Sequence, residues 1–438
     1  VQDSSRSVHP ASATHASVAA VGLAALVLAL AIVRLARPLG GDVAYSALLT
    51  IGLTSAAVGL TDLLWRKAHR RPSTGLDFSI DNPSWSRTAL KLAGLIGSMG
   101  FVGLLYCLFP EYHSAFYDPY FAILRIILPA WLALSIPYFY WLDRKMAAPR
   151  DGYWHMGKLV TLQWREVDGA IVKQHVLGWL VKGFFLPLAA TYLSDGLTNF
   201  LSYDIDQLAS FKSWYDFLFD TFYMMDVALA SMGYLMSLRI VDAHFRSADA
   251  TLLGWVVALA CYEPFWSLVS QHYLAYQSEP DWSGWLSDWP LLSYFWGGAI
   301  LTLTAIYVWA TVAFGLRFSN LTNRGIITNG PYRWTKHPAY AAKNLSWWMI
   351  AAPFLGHDPL EILRNCLLLL SVNGVYFLRA RTEERHLSRD PHYVRYAEWM
   401  EARGIFRFGR SWPVLRRLAY RKKEVVAAAS PLSAGLDG

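Results

Sequence analysis

Apolar residues in this chain are gathered into long blocks, and the charged residues are mostly confined to the stretches between them. The blocks fall near 18–36, 43–65, 89–109, 119–142, 176–201, 213–237, 251–270, 290–316, 345–356 and 359–378. Most are about 17 to 25 residues long, the length at which a helix crosses a bilayer. Hydrocarbon offers no hydrogen bonds, so each backbone must satisfy its own polar groups, and within one segment only a helix does so. The pattern predicts an all-α, polytopic integral membrane protein with about ten transmembrane helices. The block at 345–356 is too short to cross alone. It reads as tilting, starting before Tyr340, or pairing with the next block as a hairpin.

Composition agrees. The 438 residues are 55% hydrophobic and 16% charged, which excludes a chain of soluble domains. Arg66, Lys67, Arg70 and Arg71 follow the second block, Arg144, Lys145 and Arg150 the fourth, Arg239 and Arg246 the sixth, and Arg317, Arg324, Arg333 and Lys336 the eighth. The alternate connections carry Glu111, Asp118, Asp204, Asp206, Glu279, Asp281 and Asp288. The positive-inside rule then places both termini in the cytoplasm, with Arg34 and Arg37 as the visible exception. The net charge of +7 is spread over cytoplasmic connections, so it suits anionic headgroups and argues against a nucleic-acid partner. The first apolar block lacks a small-residue cleavage site and reads as a retained anchor, preceded by a disordered tail to about Ala16. Cys107, Cys261 and Cys366 lie in separate blocks without metal-ligand spacing; inert buried thiols are expected, with no disulfide framework and no metal site. Trp282, Trp285 and Trp289 read as interfacial anchors.

Candidate chemistry lies near the C-terminus. Gly330-Pro331 stops a helix, and Pro338 biases His337 out of helical geometry, so the chain between them turns sharply and exposes peptide groups beside Arg333, Lys336 and His337. A basic loop with one histidine is more often a headgroup contact than an active site. Glu383 and Glu384 likewise suit a solvated helix face, paired with Arg379, Arg381 or Arg385 at a few tenths of a kcal/mol each, roughly. From Arg379 to Lys423 the chain is densely charged, with Tyr393, Tyr396, Trp399 and Phe406 interleaved. It reads as a helix continuing from the last span into the cytoplasm or along the membrane face, followed by a disordered tail.

The stretch IITNGPYRWTKHPAY, two closely spaced spans, and then FLRARTEERHLSRDPHYVRYAEWM together resemble the C-terminal core of the isoprenylcysteine carboxyl methyltransferase family and its phospholipid methyltransferase relatives, over roughly residues 315 to 408. The resemblance implies a cytoplasmic-facing methyltransferase-like core that binds S-adenosylmethionine beside a membrane tunnel for a lipid or lipidated acceptor. Tyr332, His337, Pro338 and Tyr340 would form the cofactor pocket, with Arg385 closing it. Arg381 and Glu384 would orient the acceptor, with Glu384 a base if that acceptor is an amine. Lys343-Asn344 departs from the Gly-containing continuation of many relatives. The implied organisation is a disordered tail over 1–17, an N-terminal transmembrane region of open role over 18–288, the core over 289–412, and a basic then disordered tail over 413–438.

Lys182, Asp195, Asp220, Asp226 and Glu263 lie inside apolar blocks, where charge is costly and suggests function. Asp226 and Glu263 suit a polar cavity or a buried structural pair equally well. The loop 239–246 lies on the side of the active-site segment and reads as a cap or, more simply, as a solvated turn. Two other functions compete with methyl transfer. A sterol-type reductase using NADPH matches the span count, but its motif continues with Gly-Asp where this chain has Lys343-Asn344. A transporter would use Asp195, Asp226 and Glu263 along its path, but no inverted repeat is visible.

Overall fold

The computed structural model describes residues 8–277 and 280–407. In chain order its helices are α1 (Ala16–Ala36), α2 (Pro38–Gly41), α3 (Val43–Leu60), α4 (Trp85–Leu108), α5 (Asp118–Asp143), α6 (Gly152–Val160), α7 (Gly169–Ser202), α8 (Phe211–Leu235), α9 (Leu252–Leu259), α10 (Trp282–Trp285), α11 (Pro290–Phe314), α12 (Pro338–Ala351), α13 (Pro359–Leu387) and α14 (Pro391–Arg403). Two short antiparallel strands, β1 (Ser247–Ala248) and β2 (Thr322–Asn323), join the connections on one side.

Ten spans were expected; among the described residues seven helices are long and apolar enough to cross a membrane. The differences have local causes. The block at 251–270 is no single helix: α9 stops at Leu259 and a π-helical stretch follows over Ser267–Tyr273, with Pro264, which cannot donate to a helical ladder, between them. Helix α8 stands where a span was expected but carries Lys212, Asp216, Asp220 and Asp226, and is not among the seven. The short block belongs to α12, which begins at Pro338 and has 14 residues. At 1.5 Å per residue it is about 21 Å long, less than the hydrocarbon core of about 30 Å. It ends at Ala352 in the left-handed region, and α13 returns as the second arm of a hairpin.

Small residues set the closest helix crossing. A Cβ on Gly94 of α4 would lie 2.0 Å from the Tyr153 carbonyl oxygen, and one on Gly157 of α6 would lie 2.0 Å from that of Leu90. Beside this contact Lys91 Nζ reaches Asp143 at 3.0 Å and Asp151 at 3.6 Å, so a buried cation has acidic partners on two further segments. Arg34, the exception to the charge pattern, donates to the carbonyls of Phe200 (2.8 Å) and Tyr203 (2.6 Å). It serves the C-terminal end of α7, where carbonyls lack helical donors.

At the other end of the bundle the cation-rich connections pack on one another. Arg317, at the end of α11, is buried and pairs with Asp62 at 3.1 Å and Asp242 at 3.6 Å. Asp242 also takes Arg71 at 3.4 Å and Arg246 at 3.1 Å. Arg324 donates to the carbonyls of Ala243 and, at 2.8 and 2.7 Å, of Gly233 and Phe318. Burial lowers its pKa to about 9. The loop 239–246 is therefore no solvated turn: Val241, Asp242 and Ala243 are buried, and β1 sets the loop's exit against β2.

The segment 8–15, within the stretch expected to be disordered, is an extended strap on this same end. Ala13 N donates to Ile326 O at 2.9 Å, Thr14 Oγ1 to Ala313 O at 2.7 Å, and Arg71 Nη1 to Ala13 O at 2.7 Å. Its order comes from backbone groups paired with distant partners, which local composition does not reveal. The expected tail over 413–438 lies outside the described residues.

Candidate functional site

Helix α13 sets the site through its periodicity. Leu369, Val372 and Tyr376 are buried along its membrane portion, and the same stripe continues past the apolar block as Arg379, Thr382, Glu383, His386 and Leu387. All five, with Tyr376, line one cavity. Spacings of three and four place these residues on one face. Across from them stand the 318–322 segment, Tyr332, and the Lys336–Tyr340 stretch, turned by the non-helical His337 (φ −131°, ψ 60°) before Pro338. Loop 236–251 and α9 supply the remaining wall through Asp249, Gly254 and Ala258.

The polar groups of this wall are ordered. Tyr340 donates to Glu383 at 2.7 Å, and its ring stacks on His337 with centroids 5.4 Å apart. Arg379 donates to Asn320 Oδ1 at 2.6 Å and to the Tyr262 hydroxyl at 3.2 Å. Its guanidinium lies 5.1 Å from the Tyr340 ring and 5.2 Å from that of Tyr262, so an arginine is held without a carboxylate among its described hydrogen-bond partners. Burial, and then Glu383, hold the Tyr332 phenol well above its ordinary pKa, keeping it a neutral donor. Thr322 Oγ1 and His386 Nδ1 are buried and have no hydrogen-bond partner among the described residues. In a folded protein such atoms commonly mark the place of a ligand or water.

A second cavity of about 750 Å³ adjoins the first. Tyr262, Tyr307, Phe318, Asn320, Lys343 and Tyr376 line both. From Phe185 to Asn199 it follows α7 over about 21 Å, at 1.5 Å per residue. Its walls there are Leu188, Ala189, Met224, Val227 and Ala230, while Asp195, Asn199 and Asp220 lie towards its far end.

The residues expected from sequence separate into two groups. Tyr332, His337 and Tyr340 line the first cavity, and Pro338 is the buried first residue of α12. Arg381, Glu384 and Arg385 do not line it. Glu384 is buried and receives Lys336 at 2.6 Å, His337 at 3.2 Å and Arg381 at 3.3 Å; Arg385 donates to Thr251 at 2.8 Å. Glu384 thus gathers three cationic or imidazole groups behind the wall and ties α13 to the His337 loop. Sequence reading passed over Tyr262, Asn320 and Tyr376 and left Arg379 and Glu383 as ordinary surface charges. Extending the α13 stripe from Leu369 by threes and fours would have found Tyr376, Arg379 and Glu383; Tyr262 and Asn320 carry no motif. Asp226 accepts from Tyr307 and Thr311, each at 2.5 Å, and lines the second cavity; it is both buried structure and cavity wall.

Residues 292–389 match the model of the isoprenylcysteine carboxyl methyltransferase family. No curated protein and no solved structure matches the chain. The match covers α11, the 318–337 segment and the α12–α13 hairpin, and it supports a multi-pass membrane methyltransferase.

Proposed function

We propose that the protein transfers a methyl group from S-adenosylmethionine to a lipid or lipidated acceptor at the cytoplasmic membrane face. The observation that carries this reading is the junction of the two cavities. A compact pocket walled by Arg379, Glu383 and His386 and a long chamber running along α7 share one mostly aromatic wall, an arrangement that suits a reaction between a water-soluble cofactor and a membrane-resident acceptor. The family match to the surrounding segment points the same way.

The donor set suits the cofactor. Arg379 and His337 offer donors to its carboxylate, and Glu383 and Asp249 offer acceptors to its amino group. The aromatic faces of Tyr262, Tyr340 and Tyr376 favour a sulfonium. The two unpartnered polar atoms, on Thr322 and His386, are available to a ribose or an adenine. When bound, the cofactor supplies an electrophilic methyl group. The chain's residues then orient both reactants and exclude water, which suits a displacement in which opposite charges diminish. Glu384 acts here as a positioning residue, holding Lys336 and His337 at the pocket rim.

The test is calorimetric titration of the detergent-purified protein with S-adenosylmethionine and, in parallel, NADPH. Saturable binding of S-adenosylmethionine that Arg379→Met weakens supports the reading. Binding of NADPH alone replaces it with the reductase, and binding of neither refutes both.

A further inference from the structure

Asp226 brings a carboxylate to the place where the two cavities meet. It stands on α8, outside the matched segment, and is 6% exposed. Each of its oxygens accepts a hydroxyl from α11, Oδ2 that of Tyr307 and Oδ1 that of Thr311. Two accepting oxygens are the pattern of an ionised carboxylate, and a buried charge needs an opposite one nearby. Lys343 of α12 supplies it across the junction, with its ammonium 5.4 Å from the Tyr307 ring. Helices α8, α11 and α12 are thereby joined around one phenol.

Tyr307 lines both cavities, while Thr311 lines the compact one and Asp226 the chamber. The Tyr307 hydroxyl commits its proton to Asp226, so it offers a molecule at the junction an oxygen lone pair. Such a group receives a hydroxyl. The neighbouring carboxylates are placed for other tasks. Glu384 is held behind the wall by Lys336, His337 and Arg381, Glu383 receives Tyr340 within the compact pocket, and Glu263 receives Ser267 at 2.6 Å.

We propose that Tyr307 and Asp226 form a proton relay, and that the acceptor it serves is a phenol carried on a lipid tail. This rests on the methyltransferase reading above. A relay ending on a carboxylate suits a phenol, with an ordinary pKa of about 10, and is too weak a base for an aliphatic alcohol, close to water at roughly 15.7. Tyr262, Phe318 and Tyr376 also line both cavities and give a flat ring faces to pack on. In the step itself a lone pair on the phenol oxygen forms the O–CH₃ bond while the S–CH₃ bond breaks and its electron pair returns to sulfur. The phenol proton passes to the Tyr307 oxygen as the Tyr307 proton passes to Asp226 Oδ2, and that hydrogen bond reverses direction. The positive charge of the cofactor and the negative charge of Asp226 disappear together, while Lys343 keeps its own. Asp226 lines the chamber, so water entering after product release takes the proton away. A lipid carboxylate has no proton to give and leaves the relay idle; a lipid ammonium stands beside the like charge of Lys343.

The experiment uses the whole chain in detergent with labelled S-adenosylmethionine. The probes are a farnesylated phenol, its ring-fluorinated counterpart that is already ionised at neutral pH, a farnesylated cysteine with a free carboxylate, and phosphatidylethanolamine. The wild type methylates the two phenols in preference to the others. Asp226→Asn keeps the side chain's volume and lowers kcat on the farnesylated phenol by about a hundredfold or more, the contribution of a general base. KM and cofactor affinity stay close to those of the wild type. On the fluorinated phenol, whose proton is already gone, the same variant retains most of its kcat. Tyr307→Phe gives the same contrast, and the unfolding temperature of each variant checks that the fold is retained.

An equal loss on both phenols overturns the proposal, because it marks a structural role for Asp226. Undiminished kcat in Asp226→Asn on the farnesylated phenol overturns it as well. Preferred methylation of the carboxylate or the amine, or cofactor binding with no transfer to either phenol, also overturns it and leaves the methyltransferase reading standing. If the wild type binds no S-adenosylmethionine, that reading fails first and the relay falls with it.

Discussion

Glu383 and Glu384 are neighbours in sequence with opposite duties, so exchanging each for glutamine tests how α13 is placed. Glu384 is 6% exposed and receives Lys336, His337 and Arg381. A hydrogen bond to a charged group contributes about 1.5 to 3 kcal/mol. The Arg381 side chain is 32% exposed, so that arm is screened to about 1 kcal/mol or less. Glutamine keeps one acceptor oxygen and adds an NH₂ group facing cations. The net loss for Glu384→Gln is about 2 to 4 kcal/mol, expressed as stability. Among the described residues Glu383 receives only the Tyr340 hydroxyl, and it faces the cavity, so Glu383→Gln leaves folding nearly intact. It weakens cofactor binding by about ten- to hundredfold, the same range of free energy read as affinity. Thermal unfolding in detergent and calorimetric titration separate the two effects. If Glu384→Gln abolished cofactor binding at an unchanged unfolding temperature while Glu383→Gln bound normally, the cavity face of α13 would be misassigned.

Other outcomes follow from the packing. Gly157→Ala places a methyl group against the Leu90 carbonyl at 2.0 Å; it should destabilise the α4–α6 crossing by about 1 to 3 kcal/mol, seen as a lower unfolding temperature. Asp242→Ala leaves Arg317 with Asp62 as its one acidic partner among the described residues and should cost about 3 to 5 kcal/mol, the penalty for breaking a buried charge network; denaturation in parallel with Asp81→Ala, an exposed ion pair, is the check. His244 titrates outside the spans, and burial followed by Arg239, Arg246, Arg324 and Arg317 holds its pKa well below the ordinary 6.5. The folded protein resists protonation that the unfolded chain accepts, so stability is full above about pH 6.5 and declines as pH falls below it. Unfolding midpoints from pH 7.5 to 5.5, roughly the window that brackets an imidazole, should decline less steeply in His244→Gln, with the remaining slope left to His9, His69 and His386, which burial shifts the same way.

Much of the membrane architecture was legible, because hydrocarbon imposes its requirement locally on each helix. Most of the long apolar blocks returned as helices, although the block at 251–270 broke in two, α7 began seven residues before its expected start and α13 ran nine past its expected end; the short block returned as the first arm of a hairpin. What composition could not convey was pairing at a distance. Arg34 looked like a misplaced charge until the α7 carbonyls stood beside it, and the polar residues before Ala16 gave no sign that Ile326 and Ala313 would receive them. In the site, His337 and Tyr340 were found through motif and proline. Arg379 and Glu383 were overlooked because their charge suggested water, although their spacing continued a buried stripe. Tyr262, inside the 251–270 block, and Asn320 belong to no motif, and only the tertiary fold brings them to Arg379.

The buried cluster around Arg317 also bears on how such a protein can change over generations. The 292–389 segment carries most of the recognisable motif, yet Asp249, Gly254, Ala258 and Tyr262 complete its pocket from outside that segment. Asp62 and Asp242 neutralise its arginine from two other segments. A recombination event that moved the motif alone would deliver an incomplete wall and an uncompensated charge. The two halves of the gene are therefore expected to drift together: a substitution at Arg317 is tolerated only alongside one at Asp62 or Asp242. The segments around Asp62, Asp242 and 249–262 are inherited with the 292–389 segment and not as detachable passengers.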